Sequence, residues 1–143
     1  MALYEADEVS FEVPDGYVDR SMNMFISPSQ GPRGQPISVV ITRDPRTEET
    51  VRDQAIRLLK DVVAALPGGK LLGQRDREVG AQPAREARLQ AVQQRVPTYA
   101  RQTYVGHYGT LLTITVTSPR GAAQQCDAQT ERLLGSMRFK KTH

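Results

Sequence analysis

The chain has 143 residues, 38% of them hydrophobic and 24% charged, which fits one domain with a real core. That balance excludes a disordered chain, and apolar runs of only a few residues exclude a bilayer span. The net charge of +3 comes from interspersed charges of both signs, without the basic block and interleaved aromatics of a nucleic-acid surface.

The opening Met1–Glu8 has neither a basic region nor an apolar core, so no signal peptide is expected. The single cysteine, Cys126, rules out an internal disulfide and fits a reducing cytoplasm. Val9-Ser10-Phe11-Glu12-Val13 alternates apolar and polar residues as a half-buried strand does, and Pro14-Asp15-Gly16 turns it. Val18–Ile26 is the next predicted strand. Its alternation sends Met22, Met24 and Ile26 to one face and Asn23 and Phe25 to the other. Methionine is unbranched and polarizable, so this face reads either as core packing or as a receiver for several apolar shapes. Pro28 to Pro36 is a Pro/Gly loop, and the β-branched run Ile37–Thr42 is a further strand.

A helix is predicted from Thr50 to Leu66. Thr47 or Thr50 can cap it, Glu48 and Glu49 suit its positive end, and Pro67-Gly68-Gly69 stops it. Its apolar residues cover roughly half the circumference, wider than the ~100° stripe of a surface helix. Val51, Leu58 and Val62 form one flank and Ile56 and Val63 the other, with Leu59 and Leu66 between. Such a helix can face its sheet with one flank and a second partner with the other. Four strands follow, Leu71–Val79, Pro83–Gln93, Thr98–Val105 and Thr110–Ser118. Hairpin turns are expected at Gly80-Ala81-Gln82 and Gly106-His107-Tyr108-Gly109. In the last strand Leu112, Ile114 and Val116 share one face and Thr113, Thr115 and Thr117 the other. A helix from about Gly121 to Met137 closes the chain, with Ala128, Leu133, Leu134 and Met137 inward, and the basic tail Arg138–His143 is expected to be loose. Strands, helix, strand meander and helix predict an α+β domain, an antiparallel sheet of about six strands flanked by two main helices.

Reactive groups are sparse. With one cysteine and two histidines, His107 in a predicted turn and His143 at the end, no zinc site of usual spacing can form. Cys126 reads as a small buried apolar residue on a helix. No phosphate-cradling glycine loop precedes a helix, and no Gly-x-Ser-x-Gly elbow occurs. Asp76 or Glu78 could pair with Glu86 across strands, an arrangement also common on solvated faces. Gln90, Gln93, Gln94 and Gln102 lie on neighbouring strands near Tyr99 and Tyr104. Such amides can pair the few polar groups of an apolar helix, or simply be solvated. No enzyme, metal or cofactor is expected.

Several short motifs in order resemble the Eag chaperones of type VI secretion in Gram-negative bacteria. They are Leu3-Tyr4, Val13-Pro14-Asp15 with Tyr17, Asp19–Phe25, Val40–Asp44, Leu66-Pro67-Gly68 and Arg101-Gln102. The likeness covers nearly the whole chain, and its specificity lies in order and spacing. It implies a single DcrB or Mog1/PsbP-like domain over residues 1–143, a cytoplasmic homodimer. The partner implied is the N-terminal transmembrane segments of an effector, with its spike-tip domain also in reach. The groove the resemblance implies is lined by Met22, Met24, Val40, Val62, Leu66 and Gln102. Leu58 stands where the family pattern leads one to expect a glutamine, and Thr98 where a larger apolar residue is expected. The other reading is a Mog1-like binding module for a soluble protein.

Overall fold

A computed structural model describes residues 2–5, 8–17, 20–27 and 36–140. Six strands form one antiparallel sheet in the order β3-β4-β8-β7-β6-β5. They are β3 (Asn23–Ile26), β4 (Ser38–Pro45), β5 (Lys70–Val79), β6 (Gln82–Gln93), β7 (Val96–His107) and β8 (Thr110–Pro119). A separate two-stranded sheet pairs β1 (Ala2–Glu5) with β2 (Ser10–Val13). Helix α1 (Val51–Ala65) joins β4 to β5, and α2 (Ala123–Ser136) follows β8 after a 3-10 turn over Arg120–Ala122.

The α+β sheet with two helices therefore stands as the sequence predicts, with particular corrections. The strand expected from Val18 begins at Asn23; residues 18–19 lie outside the described residues, as do residues 28–35 of the Pro/Gly loop. Between β7 and β8 the strands run on to His107 and restart at Thr110, so the turn is Tyr108-Gly109. The left-handed backbone there belongs to Tyr108, φ 53°. Ala128 is exposed: α2 buries Cys126, Thr130 and Leu134, the i, i+4, i+8 stripe that a straight helix presents to a sheet. The tail is not wholly loose, because Phe139 packs on the core and its ring lies 5.0 Å from that of His107.

Local chemistry accounts for these elements. Thr50 caps α1, its hydroxyl accepting from the Asp53 N–H at 3.1 Å, as an N-cap threonine should. Two-residue turns whose central residues are both left-handed match the twist of paired strands. Gly80-Ala81 (φ 56° and 65°) and Gln94-Arg95 (φ 50° and 66°) supply them. At Gly80 a Cβ would come within 2.7 Å of the Phe139 ring, so its bareness also seats the tail.

Each face of the sheet carries one helix and one core. On one face Ile114, Val116, Val105, Ala84 and Val79 pack with Cys126 and Leu134 of α2. On the other, Ala87, Leu89, Tyr104 and Leu111 pack with Val51, Ala55 and Leu59 of α1. Cys126 is buried as expected, its thiol donating to the Val116 carbonyl at 3.3 Å, and burial pushes its pKa up.

Candidate functional site: an uncharged half-sheet beside α1

Helix α1 does not lie over the middle of its sheet. It packs on β5, β6 and β7 and meets Leu111 at the start of β8. Among the described residues no helix covers β8, β4 and β3 on this face. Arg52 reaches Asp76 of β5 at 3.9 Å, whereas the Gln54 amide donates to the Pro45 carbonyl at the end of β4, 2.9 Å away. The α1 flank carrying Leu58 and Val62, one and two turns beyond Gln54, is thus turned toward the uncovered strands.

Strand register carries the sequence-predicted residues onto one line. Met24 pairs with Val40, Val40 with Thr115, Thr115 with Gln102, and Gln102 with Ala87. Directly paired residues share a face, and Ala87 packs against α1, so the whole row faces the α1 side. Leu58, Val62 and Leu66 run alongside it, all three half-buried, with Leu66 as the helix C-cap. Met22 directly precedes β3, and Met22 and Met24 are each 57% exposed. Phe25 faces the other way, paired with Val39 of the α2-side core. A shallow trough results, walled by α1 and floored by β8, β4 and β3.

Its chemistry is neutral. Ser38, Val40, Thr113, Thr115 and Thr117 form the floor, and the Thr113–Thr117 alternation noted in the sequence is the signal that could have placed it. Gln102 is 7% exposed and bonded at both ends of its amide: the Tyr104 hydroxyl donates to its oxygen at 2.6 Å, and its nitrogen donates to the Thr115 hydroxyl at 3.1 Å. Burial, and then Asp44, push the Tyr104 hydroxyl pKa upward, so this chain of bonds stays uncharged. Near the β3 end the floor deepens into a cavity of about 400 Å³ lined by Ile26, Ser38, Gln94, Val96, Thr98 and Thr117. Thr98 is no larger apolar side chain, yet its hydroxyl turns away from a ligand role and donates to the Ala91 carbonyl at 3.2 Å. At the opposite end Arg20 and Asp44 form an exposed ion pair at 2.7 Å.

The α2 face holds the charged cluster. Glu86, paired in the sequence reading with Asp76 or Glu78, instead meets Arg75, Arg77 and Arg101. The mismatch is one of facing: Asp76 lies on the α1 side, bound to Arg85 at 2.8 Å. Burial pushes the Glu86 pKa up, but bonds from Arg101 and Arg77 outweigh it and hold it below the usual range. Arg77 and Arg101 hold Glu131 down to about 2. Burial opposes the Arg101 charge, and Glu131, Glu86 and Asp127 more than restore it, raising its pKa. Tyr99 donates to Asp127 at 2.7 Å. These carboxylates are committed to arginines that pin α2 to the sheet, and none is left as a general base. Among the described residues no group of His, Cys, Asp and Glu could hold a metal ion, and no helix is long and apolar enough to cross a membrane.

The family model described as DcrB matches residues 8–136. Effector EagT6 of Pseudomonas aeruginosa is 38% identical over 72 residues, 50% of this chain and 49% of that protein. The chain thus spans about half the length of that relative. Among solved structures, protein PA94 of Pseudomonas aeruginosa, described as of unknown function, superimposes with TM-score 0.81 at 25% identity over 99% of both chains. LpqN of Mycobacterium tuberculosis, involved in cell envelope biogenesis, gives TM-score 0.59 at 9% identity over 85% of each chain. CyanoP of Synechocystis sp. PCC 6803 gives 0.55 at 11% identity over 96% of this chain and 92% of that one. These last two share the fold alone.

Proposed function

We propose a chaperone function for this chain, which belongs to the DcrB family. As a single cytoplasmic domain, it binds the N-terminal transmembrane helices of a type VI secretion effector and keeps them from water until the effector is loaded on the spike. Met22, Met24, Val40, Leu58, Val62, Leu66 and Gln102 line the binding surface, and two copies work as a homodimer. No catalysis or cofactor is involved.

The observation that carries this reading is the uncharged trough beside α1, apolar at its wall and rim and hydroxyl-lined on its floor. A transmembrane segment in water exposes ~20 apolar residues. In a bilayer such helices associate through close packing and side-chain hydrogen bonds. A floor of threonines with one buried amide offers both, and methionines on the rim repack around different side chains. Each large apolar side chain buried contributes roughly 1.5–3 kcal/mol, so a few anchors suffice. The identity with EagT6 supports the choice of client class.

Co-expression with a tagged effector segment containing its first transmembrane helix tests this directly. Wild type should hold the segment soluble, and Val40→Asp or Leu58→Asp should lose it while circular dichroism stays native. Full recovery by both folded variants would sink the reading. Recovery only of partners without an apolar span of ~18 residues would replace it with a module for soluble proteins.

A further inference from the structure

We infer that the cavity between β5, β6 and α2, on the face of the sheet away from the trough, is a subsite for one carboxylate, supplied by an acidic side chain of a polypeptide docking on that face. The chaperone reading does not require this subsite.

Strand register sets two arginines side by side. Arg88 of β6 stands directly opposite Arg101 of β7, and directly paired residues share a face. Like charges so placed destabilise the pair unless counter-ions meet them. Arg101 has its counter-ions: it is 4% exposed and bonds Glu86, Asp127 and Glu131. Arg88 is exposed and has no hydrogen bond or ion pair among the described residues. Glu86, Asp127 and Glu131 are shared among Arg75, Arg77 and Arg101. With Arg88 included, four arginines face three carboxylates, and one positive charge is left over.

Arg88 is nonetheless held in place. β5 shifts its register between Leu71 and Gly73, and the shift seats Gly73 opposite Arg88. Such bulges at a sheet edge re-aim side chains. A Cβ on Gly73 would come within 3.2 Å of Arg88 Nη2, so the bare backbone is the bed on which the guanidinium lies. A cavity of about 380 Å³ opens there, lined by Gly73, Arg75, Glu86, Arg88, Arg101 and Asp127. Arg101 also keeps a buried Nε–H without an acceptor, an uncommon state for a buried donor. Charge selects the ligand. A singly charged carboxylate matches the excess, and the planar fork of an arginine takes it by two parallel bonds. A phosphate group, at about −1.5 to −2, would leave negative charge beside Glu86 and Asp127.

NMR of the full-length chain, following the arginine Nε–H resonances, tests this with a blocked peptide bearing one central glutamate. Wild type should show saturable shifts of the Arg88 and Arg101 signals, and the same peptide with glutamine should show none. Arg88→Gln strands no partner, so it should keep its Tm and bind the peptide about tenfold more weakly, the loss of one charge-assisted pair. Gly73→Ala keeps every charge but displaces the Arg88 guanidinium, and it should weaken binding too. No saturable shift in wild type, or equal affinity in Arg88→Gln, overturns the subsite. Tighter binding of inorganic phosphate than of the peptide overturns the carboxylate assignment. Loss of the shifts in Val40→Asp would put the peptide in the trough and overturn the subsite as well. Effector recovery by Arg88→Gln should match wild type, so the subsite and the chaperone reading fail separately.

Discussion

Replacing Gln102 by leucine separates the two roles of the amide on the trough floor. The Tyr104 hydroxyl, on a side chain 1% exposed, loses its 2.6 Å acceptor. Leaving such a buried donor unmatched costs about 1–3 kcal/mol. The Thr115 hydroxyl sits in a half-buried position and can turn to water, so it adds little. Leucine returns part of the loss by replacing an amide with apolar atoms, and the net expectation is about 1–2 kcal/mol. For a chain of this size that is a fall in Tm of roughly 3–6 °C. Tyr104→Phe removes the donor instead, so adding Gln102→Leu in that background should be neutral or stabilising. The coupling from the double-mutant cycle, read by urea denaturation, should equal about 1–2 kcal/mol. If Gln102→Leu costs the same in both backgrounds, the bond to Tyr104 is not what the amide provides. The double variant also frees the functional question: it restores the fold without restoring the amide, and any remaining loss of effector recovery belongs to the client contact.

Acid should weaken the α2 attachment. Glu131 is held at about 2, below its ordinary 4.5, so its stabilisation is complete above about 4.5 and is lost as the pH falls toward about 2. Its side chain is 47% exposed, which keeps the effect small and salt-sensitive. Tm measured from about pH 6 to about pH 2 should fall less steeply in Glu131→Gln, and equal slopes would refute this origin. Gly106→Ala places a Cβ 2.6 Å from Val51 Cγ2 and 2.9 Å from Arg46 Nη1, against the start of α1. It should cost about 1–3 kcal/mol and lower the urea midpoint with an unchanged slope; an unmoved midpoint would mean that α1 shifts freely there.

Much of the fold was written in local signals. The cap and stop of α1, the alternation of β8 and the Gly80 turn are short-range chemistry, and all appear where the sequence puts them. The resemblance to Eag proteins also holds, through the DcrB match and the shared half-chain with EagT6. What escaped is non-local or compensated. β1 is only four residues long and exists by pairing with β2, which its own residues do not announce. The Gln94-Arg95 turn adopts left-handed angles without glycine or asparagine, so no turn residue marks it. Glu86 could be read as one of a carboxylate pair because spacing in strands leaves facing undecided until the register is known. Phe139 looked like part of a basic tail because its pocket is assembled from two distant hairpin ends, at Gly80 and His107. The candidate lining came from the family resemblance, whereas the off-centre seat of α1, which leaves β8, β4 and β3 without a helix over them among the described residues, has no signature in the helix itself.

That off-centre seat grades how freely the trough can change. Across the row from Ala87 to Met24 a side chain passes from full enclosure under α1 to an exposed edge over five strands. Substitutions under the helix disturb packing shared with Leu59 and Tyr104 and carry the several kcal/mol of a core change. At Met24 or Ile26 they touch little of the chain's own interior. On the proposed function, a lineage adapting to a new client has latitude at the outer strand and almost none beneath the helix. Recognition as proposed can drift from the edge inward while the half beneath the helix stays fixed.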